Sequence, residues 1–258
     1  MTLDSPDAPP PLHLEAAAGV SIAYHKTPGK SPMVVFLGGF MSDMTGTKAM
    51  ALENWAKSRG QAYLRFDYRG HGASSGRFED CTIGMWADDA RAVVDRLGAG
   101  TLILVGSSMG GWVALLTALA RPTRVAGLLL IAPAIDFTGE LMWDQFPAEA
   151  REALRRDGVW RRPSAYSEAP YPITMKLIDD GKRHFLMGAP IGFAGPVRIL
   201  HGMNDPDVPW RRSLALADRL TARDVRLTFV KDGEHRLSRP QDLALLCGAV
   251  EELCDSAA

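Results

Sequence analysis

Residues 101–119 read TLILVGSSMGGWVALLTAL. Residues 101–105 are an apolar run without polar alternation, the pattern of a strand buried on both faces. Residues 112–119 continue as an apolar helix. Between them, Gly106-Ser107-Ser108-Met109-Gly110 fits G-x-S-x-G. A strand that turns at once into a helix crowds its own backbone. Small residues must flank the turn, and its middle residue is left exposed above the sheet. That residue is Ser108, with the positive end of the following helix beside its hydroxyl. Choosing Ser107 instead would put Val105 where the first glycine belongs. A glycine-rich turn before a helix can also cradle phosphate, but no G-x-x-x-x-G-K follows here. A purely structural turn is the other competing reading.

The same rhythm extends both ways from this turn. Strands are predicted at 20–25, 33–37, 62–66, 127–131, 197–200 and 225–230, and helices at 47–58, 82–97 and 241–253. In 82–97 the apolar positions Ile83, Trp86, Ala90, Val93, Val94 and Leu97 recur three or four apart, as one buried helix face requires. Alternating strands and helices imply a parallel sheet with right-handed crossovers and helices on both faces. The predicted class is therefore α/β, one domain over 13–258 behind a flexible tail, 1–12. Residues 136–196 break the rhythm. They are rich in Trp, Tyr, Met, Pro and Arg, including Met142, Trp143, Phe146, Trp160, Tyr166 and Met175. They are expected to form a small helical cap over the strand ends.

Ligands of such sheets sit at the carboxyl ends of the strands, and the chemically able residues cluster there. A serine hydroxyl needs a base to remove its proton. Of six histidines, only His184, His201 and His235 follow Ser108. His235 lies after the last strand, in a loop able to reach back to the serine. His201 is within or at the end of a strand and His184 is in the insertion, so both are read as structural. An acid must orient the imidazole. Asp205, after the fifth strand, is the leading candidate, with Asp207 in the same loop and Asp136 after the fourth strand as the others. The charge developed on an attacked carbonyl oxygen needs preorganised N–H donors. The backbone N–H of Met109 is one candidate. The other is that of Phe40, in the Gly38-Gly39-Phe40-Met41 loop, where the glycines permit close approach.

The remaining composition narrows the class. A net charge of -1, with 47% hydrophobic and 23% charged residues, suits a globular enzyme and not a nucleic-acid binder. Cys81, Cys247 and Cys254 are odd in number and lack CxxC spacing, which predicts reduced thiols. The start, MTLDSPDAPPPL, is acidic and proline-rich, unlike a secretory signal or an Arg-rich transit peptide. A cytoplasmic location without stable membrane insertion is expected. No metal or organic cofactor is called for, and oligomeric state is not readable.

The turn Phe66-Asp67-Tyr68-Arg69-Gly70-His71-Gly72-Ala73-Ser74, the serine elbow and the loop from His201 to Pro209 together resemble the α/β-hydrolase superfamily. Within it, GFMSDMTGTKA at 39–49, Gly158-Val159-Trp160 and Val208-Pro209-Trp210 look like the palmitoyl-protein thioesterase and acyl-glucuronide esterase family of abhydrolase domain containing 10, or a bacterial relative of it. This resemblance spans roughly residues 20–255. It implies Ser108, Asp205 and His235 as a catalytic triad, an acyl-enzyme intermediate, and S-acylated proteins or small ester and thioester molecules as substrates. Hydrolysis of a carbon–carbon or peptide bond, and a non-catalytic binding role, remain the alternatives.

Overall fold

The computed structural model describes residues 9–163 and 170–257. Within them one sheet runs in the order β1 (Leu12–Ala17), β2 (Val20–Thr27), β4 (Gln61–Phe66), β3 (Lys30–Leu37), β5 (Leu102–Ser107), β6 (Val125–Ile131), β9 (Val197–Gly202) and β10 (Val225–Val230). From β4 to β10 the strands are parallel. β1 and β2 join antiparallel at one edge. The continuous apolar runs of β3, β5 and β6 follow from burial on both faces. Val35, Leu37, Leu104, Leu130 and Ile199 pack toward α2 (Ile83–Arg96), α3 (Met109–Ala120) and α6 (Arg211–Arg219). The alternate residues Val34, Phe36, Ile103, Val105 and Leu129 pack toward α1 (Thr47–Arg59) and α7 (Pro240–Ser256). This is the α/β architecture expected from the alternation, a mostly parallel sheet with helices on both faces.

Two expectations need correction. The tail expected over 1–12 overlaps β1, which begins at Leu12 and pairs with β2 from Leu12↔Tyr24. Leu12, Leu14 and Ala16 alternate with His13 and Glu15, a period of two partly hidden by the preceding prolines. Residues 1–8 of that tail lie outside the described residues. The insertion is also not purely helical. It holds α4 (Ala148–Asp157) and α5 (Met175–Lys182), but also an antiparallel pair, β7 (Val159–Arg162) with β8 (Tyr171–Thr174). Gly158, at φ 76, ends α4 in the left-handed conformation and turns the chain directly into β7. Trp160 then packs edge-on against Phe146, 4.9 Å between centroids. Tyr166 lies outside the described residues.

Polar anchors fix the insertion over the strand ends. The Asp136 carboxylate accepts the N–H groups of Leu186 (2.9 Å) and Met187 (2.8 Å). Asp180 of α5 accepts the Gly84 N–H in the first turn of α2 at 2.7 Å, satisfying a donor that a helix start leaves orphaned. Trp112 Nε1 donates to the His184 carbonyl at 3.1 Å. Among the described residues, no helix is long and apolar enough to cross a membrane.

Candidate active site

β5 ends at Ser107 and α3 starts at Met109, so Ser108 alone makes the turn, at φ 54 and ψ −118. A non-glycine residue held in such a conformation costs on the order of 1–3 kcal/mol. The surroundings hold it there. The Ser108 N–H donates to the Ile131 carbonyl (2.8 Å), and its own carbonyl accepts from Gly111 (2.9 Å) and Ala134 (3.1 Å). Close packing explains the glycines: a Cβ on Gly110 would stand 2.1 Å from the Leu37 carbonyl oxygen. The strand-to-helix geometry inferred from G-x-S-x-G is therefore present.

Three loops meet at this serine. His235 Nε2 lies 3.1 Å from Ser108 Oγ, and His235 Nδ1 lies 2.7 Å from Asp205 Oδ2. The carboxylate accepts only, so Nδ1 carries the proton and Nε2 is free to accept from the hydroxyl. Asp205 has no side-chain exposure. Its Oδ1 accepts the N–H groups of Asp207 (2.8 Å) and Val208 (2.9 Å). Its Oδ2 also receives His201 Nε2 at 3.1 Å. Burial alone would raise the pKa of Asp205. The His201 and His235 donors and the Val208 N–H outweigh it and hold the carboxyl well below its usual range.

His201 does more than fill space. Its Nε2 faces two acceptors, Asp205 Oδ2 and the Val208 carbonyl (2.9 Å), so that nitrogen carries the proton. Its Nδ1 is then left to accept from the hydroxyl of fully buried Ser213, 2.7 Å away on α6. From the sequence alone His201 reads as structural, and Ser213 carries no signal. An imidazole closing an apolar strand, four residues before the candidate acid, was the available signal.

Of the rival residues, Asp136 and His184 are occupied elsewhere. Asp136 points its carboxylate at the insertion's backbone, and burial raises its pKa despite the Met187 and Leu186 N–H donors. Asp207 gives its N–H to Asp205 and lines the cavity above the serine. His184 Nε2 is 3.5 Å from Asp180, at the α2–α5 contact. Asp205, Asp207 and His235 offer ligand atoms within 4.8 Å of one another. Asp205 already spends both of its carboxylate oxygens there on N–H donors.

The loop after β3 lies against the elbow. A Cβ on Gly39 would be 3.5 Å from Ser108 Cβ, and the adjoining Phe40 lines the same cavity as the serine. Met109 supplies the first N–H of α3, one of the donors a helix start leaves without a helical partner. The Phe40 ring packs edge-on against Phe78 (4.9 Å), Phe137 (5.6 Å) and Tyr171 (6.2 Å), fixing this loop to the insertion. Ser108 and His235 open into a cavity of about 680 Å³. Its apolar lining includes Phe137, Leu141, Met142, Tyr171 and Ile173 from the insertion.

A family model described as "Alpha/beta hydrolase family" matches residues 34–244. The chain is 42% identical over 236 residues to the mitochondrial palmitoyl-protein thioesterase ABHD10 of Bos taurus, covering 91% of this chain and 77% of that protein. A crystal structure of a hydrolase from Agrobacterium vitis S4 superposes with a TM-score of 0.88 at 43% identity, over 91% of this chain and 94% of that one. The mouse alpha/beta hydrolase domain-containing protein 10 superposes with a TM-score of 0.86 at 39% identity, over 93% and 96%.

Proposed function

Because the chain belongs to the alpha/beta hydrolase family, in the group that includes palmitoyl-protein thioesterase ABHD10, we propose that this hydrolase is a serine enzyme acting on carboxylic esters and thioesters. The observation that carries the reading is the unbroken row Ser108 Oγ, His235 Nε2, His235 Nδ1, Asp205 Oδ2, with separations of 3.1 and 2.7 Å. Ser108 attacks the acyl carbonyl as His235 takes its proton. Asp205 holds the imidazole in the accepting tautomer and stabilises the imidazolium. The backbone N–H groups of Phe40 and Met109 receive the oxyanion, a contribution worth on the order of 100-fold in rate per donor. His235 then gives its proton to the departing oxygen or sulfur, and the C–O or C–S bond breaks. Water, deprotonated by His235, attacks the acyl-serine and releases the acid.

The insertion's apolar lining suits the hydrocarbon of an acyl group, and likeness to a palmitoyl-protein thioesterase supports S-acylated cysteine as a substrate. The test is labelling with a fluorophosphonate followed by turnover of acyl thioesters of graded chain length. Wild-type protein should label stoichiometrically. S108A should lose labelling and at least about 10⁴-fold in kcat while melting cooperatively. Thioester turnover retained in S108A would sink the assignment.

A further inference from the structure

The loop after β3 turns back on itself at the cavity wall. The Gly39 carbonyl accepts the Ser42 N–H at 3.3 Å and the Ser42 hydroxyl at 2.8 Å. The first bond is long for an N–H donor, so the hydroxyl is the stronger of the two that close the turn. Met41, the third residue of the turn, sits at φ 57, while Gly39 and Phe40 keep negative φ. That is a type II turn, which favours glycine at its third position. Met41 carries a side chain there, so the turn is strained and needs a hold.

One peptide group links this turn to the chemistry. The Gly39 oxygen and the Phe40 N–H belong to the same peptide, which is trans. A trans peptide is planar, and its C=O and N–H point in opposite directions. Fixing the oxygen therefore fixes the N–H. Gly38 and Gly39 leave the backbone before it unusually free to rotate. The Phe40 ring is anchored on Phe137 and Tyr171, but the Phe40 N–H makes no hydrogen bond among the described residues. The Ser42 hydroxyl fits closely behind the loop: a Cβ on Gly38 would stand 3.1 Å from its oxygen. A hydroxyl has one proton to give, and here it goes to Gly39. Hydrogen bonding at a peptide oxygen also polarises the group and strengthens its N–H as a donor.

We propose that Ser42 is a positioning residue for the oxyanion hole: its hydroxyl fixes the plane of the Gly39–Phe40 peptide and with it the direction of the Phe40 N–H. This rests on the serine hydrolase reading above, in which that N–H receives the oxyanion. The rival account makes Ser42 only a surface hydroxyl that closes a turn.

A matched pair of inhibitors separates the two. Ser108 Oγ can add to the carbonyl of octyl trifluoromethyl ketone while His235 takes the serine proton, and the carbonyl oxygen becomes an oxyanion. The alcohol formed by reducing that ketone has the same chain and nothing to attack. The ratio of their inhibition constants within one preparation cancels the fraction of folded enzyme. S42A should weaken the ketone on the order of 10- to 100-fold and leave the alcohol within about twofold. With S-octanoyl-N-acetylcysteamine as substrate, kcat should fall by a similar factor with KM nearly unchanged. S42T keeps the hydroxyl and should recover most of both losses. An equal effect on ketone and alcohol, an unchanged kcat in S42A, or an S42T no better than S42A overturns the positioning role and leaves the hydrolase reading standing. If the wild type neither binds the ketone more tightly than the alcohol nor cleaves the thioester, the serine hydrolase reading itself falls, and the role of Ser42 falls with it.

Discussion

The loops after β6 and β9 each place a buried aspartate at the end of a parallel strand. Asp136 follows β6 and Asp205 follows β9, and both accept backbone N–H groups. Burial pushes both carboxyls toward the neutral form, yet their pKa values move oppositely. Asp136 has amide donors from the insertion, and burial prevails. Asp205 adds two imidazole N–H groups to its amides, and the charged form prevails. Position at a strand end makes either a candidate acid. The donors arranged around the carboxylate decide which one faces the serine and which one pins the cap.

Substituting each aspartate should separate those roles. D205N keeps the shape but offers an amide to an imidazole that must itself donate, favouring the wrong tautomer. We expect kcat to fall on the order of 10³–10⁴-fold with a modest change in Tm. D136N should do the reverse. Losing charged acceptors for the Leu186 and Met187 N–H groups should cost about 1–3 kcal/mol, lowering Tm by several degrees while kcat stays within a few-fold. Chemical denaturation and steady-state kinetics on both variants check this. Comparable losses of kcat would erase the distinction.

His201 sharpens the comparison from the donor side. As a positioning residue it fixes Asp205 without reaching the serine. H201F should lower kcat about 10- to 100-fold with KM nearly unchanged, because the ring volume remains but the N–H on Asp205 does not. H201Q can still present an N–H and should recover part of that loss. A change in KM alone, or no difference between Phe and Gln, would assign His201 to packing only.

The legible parts were those encoded over a few consecutive residues. The Ser108 turn announces itself through a buried strand, two glycines and a helix. Asp205 and His235 could be named because each lies in a loop directly after an apolar strand, and the structure brings both to Ser108. The illegible parts depend on distant segments meeting. His201 holds Asp205 because the loop returns at Val208 and α6 brings Ser213 alongside. Lys48 meets Arg236 across 188 residues of sequence. The β7–β8 pair has four-residue strands, VWRR and YPIT, too short to show a period. β1 sits exposed at the sheet edge, with only a half-buried alternation.

A second buried imidazole tests the same rule where no carboxylate is supplied. His71 is 5% exposed. Its ring packs against Phe78 and Trp86, each 5.2 Å away, and Tyr68 at 5.7 Å. Nδ1 is 3.3 Å from the Arg69 carbonyl, and Nε2 is buried without a hydrogen-bond partner among the described residues. Burial therefore pushes its pKa from 6.5 down to about 4. Between those values the unfolded chain binds a proton that the folded one refuses, so stability falls as pH drops from about 6.5 toward 4. The full shift corresponds to on the order of 3 kcal/mol. H71F keeps an aromatic ring in the cluster and removes both the titration and the orphaned nitrogen. Its Tm should thus depend less on pH between 4 and 7 than the wild type's, with little loss at pH 7. An unchanged slope would mean that His71 finds a proton acceptor in the folded protein, and that burial without a carboxylate does not by itself keep an imidazole neutral here.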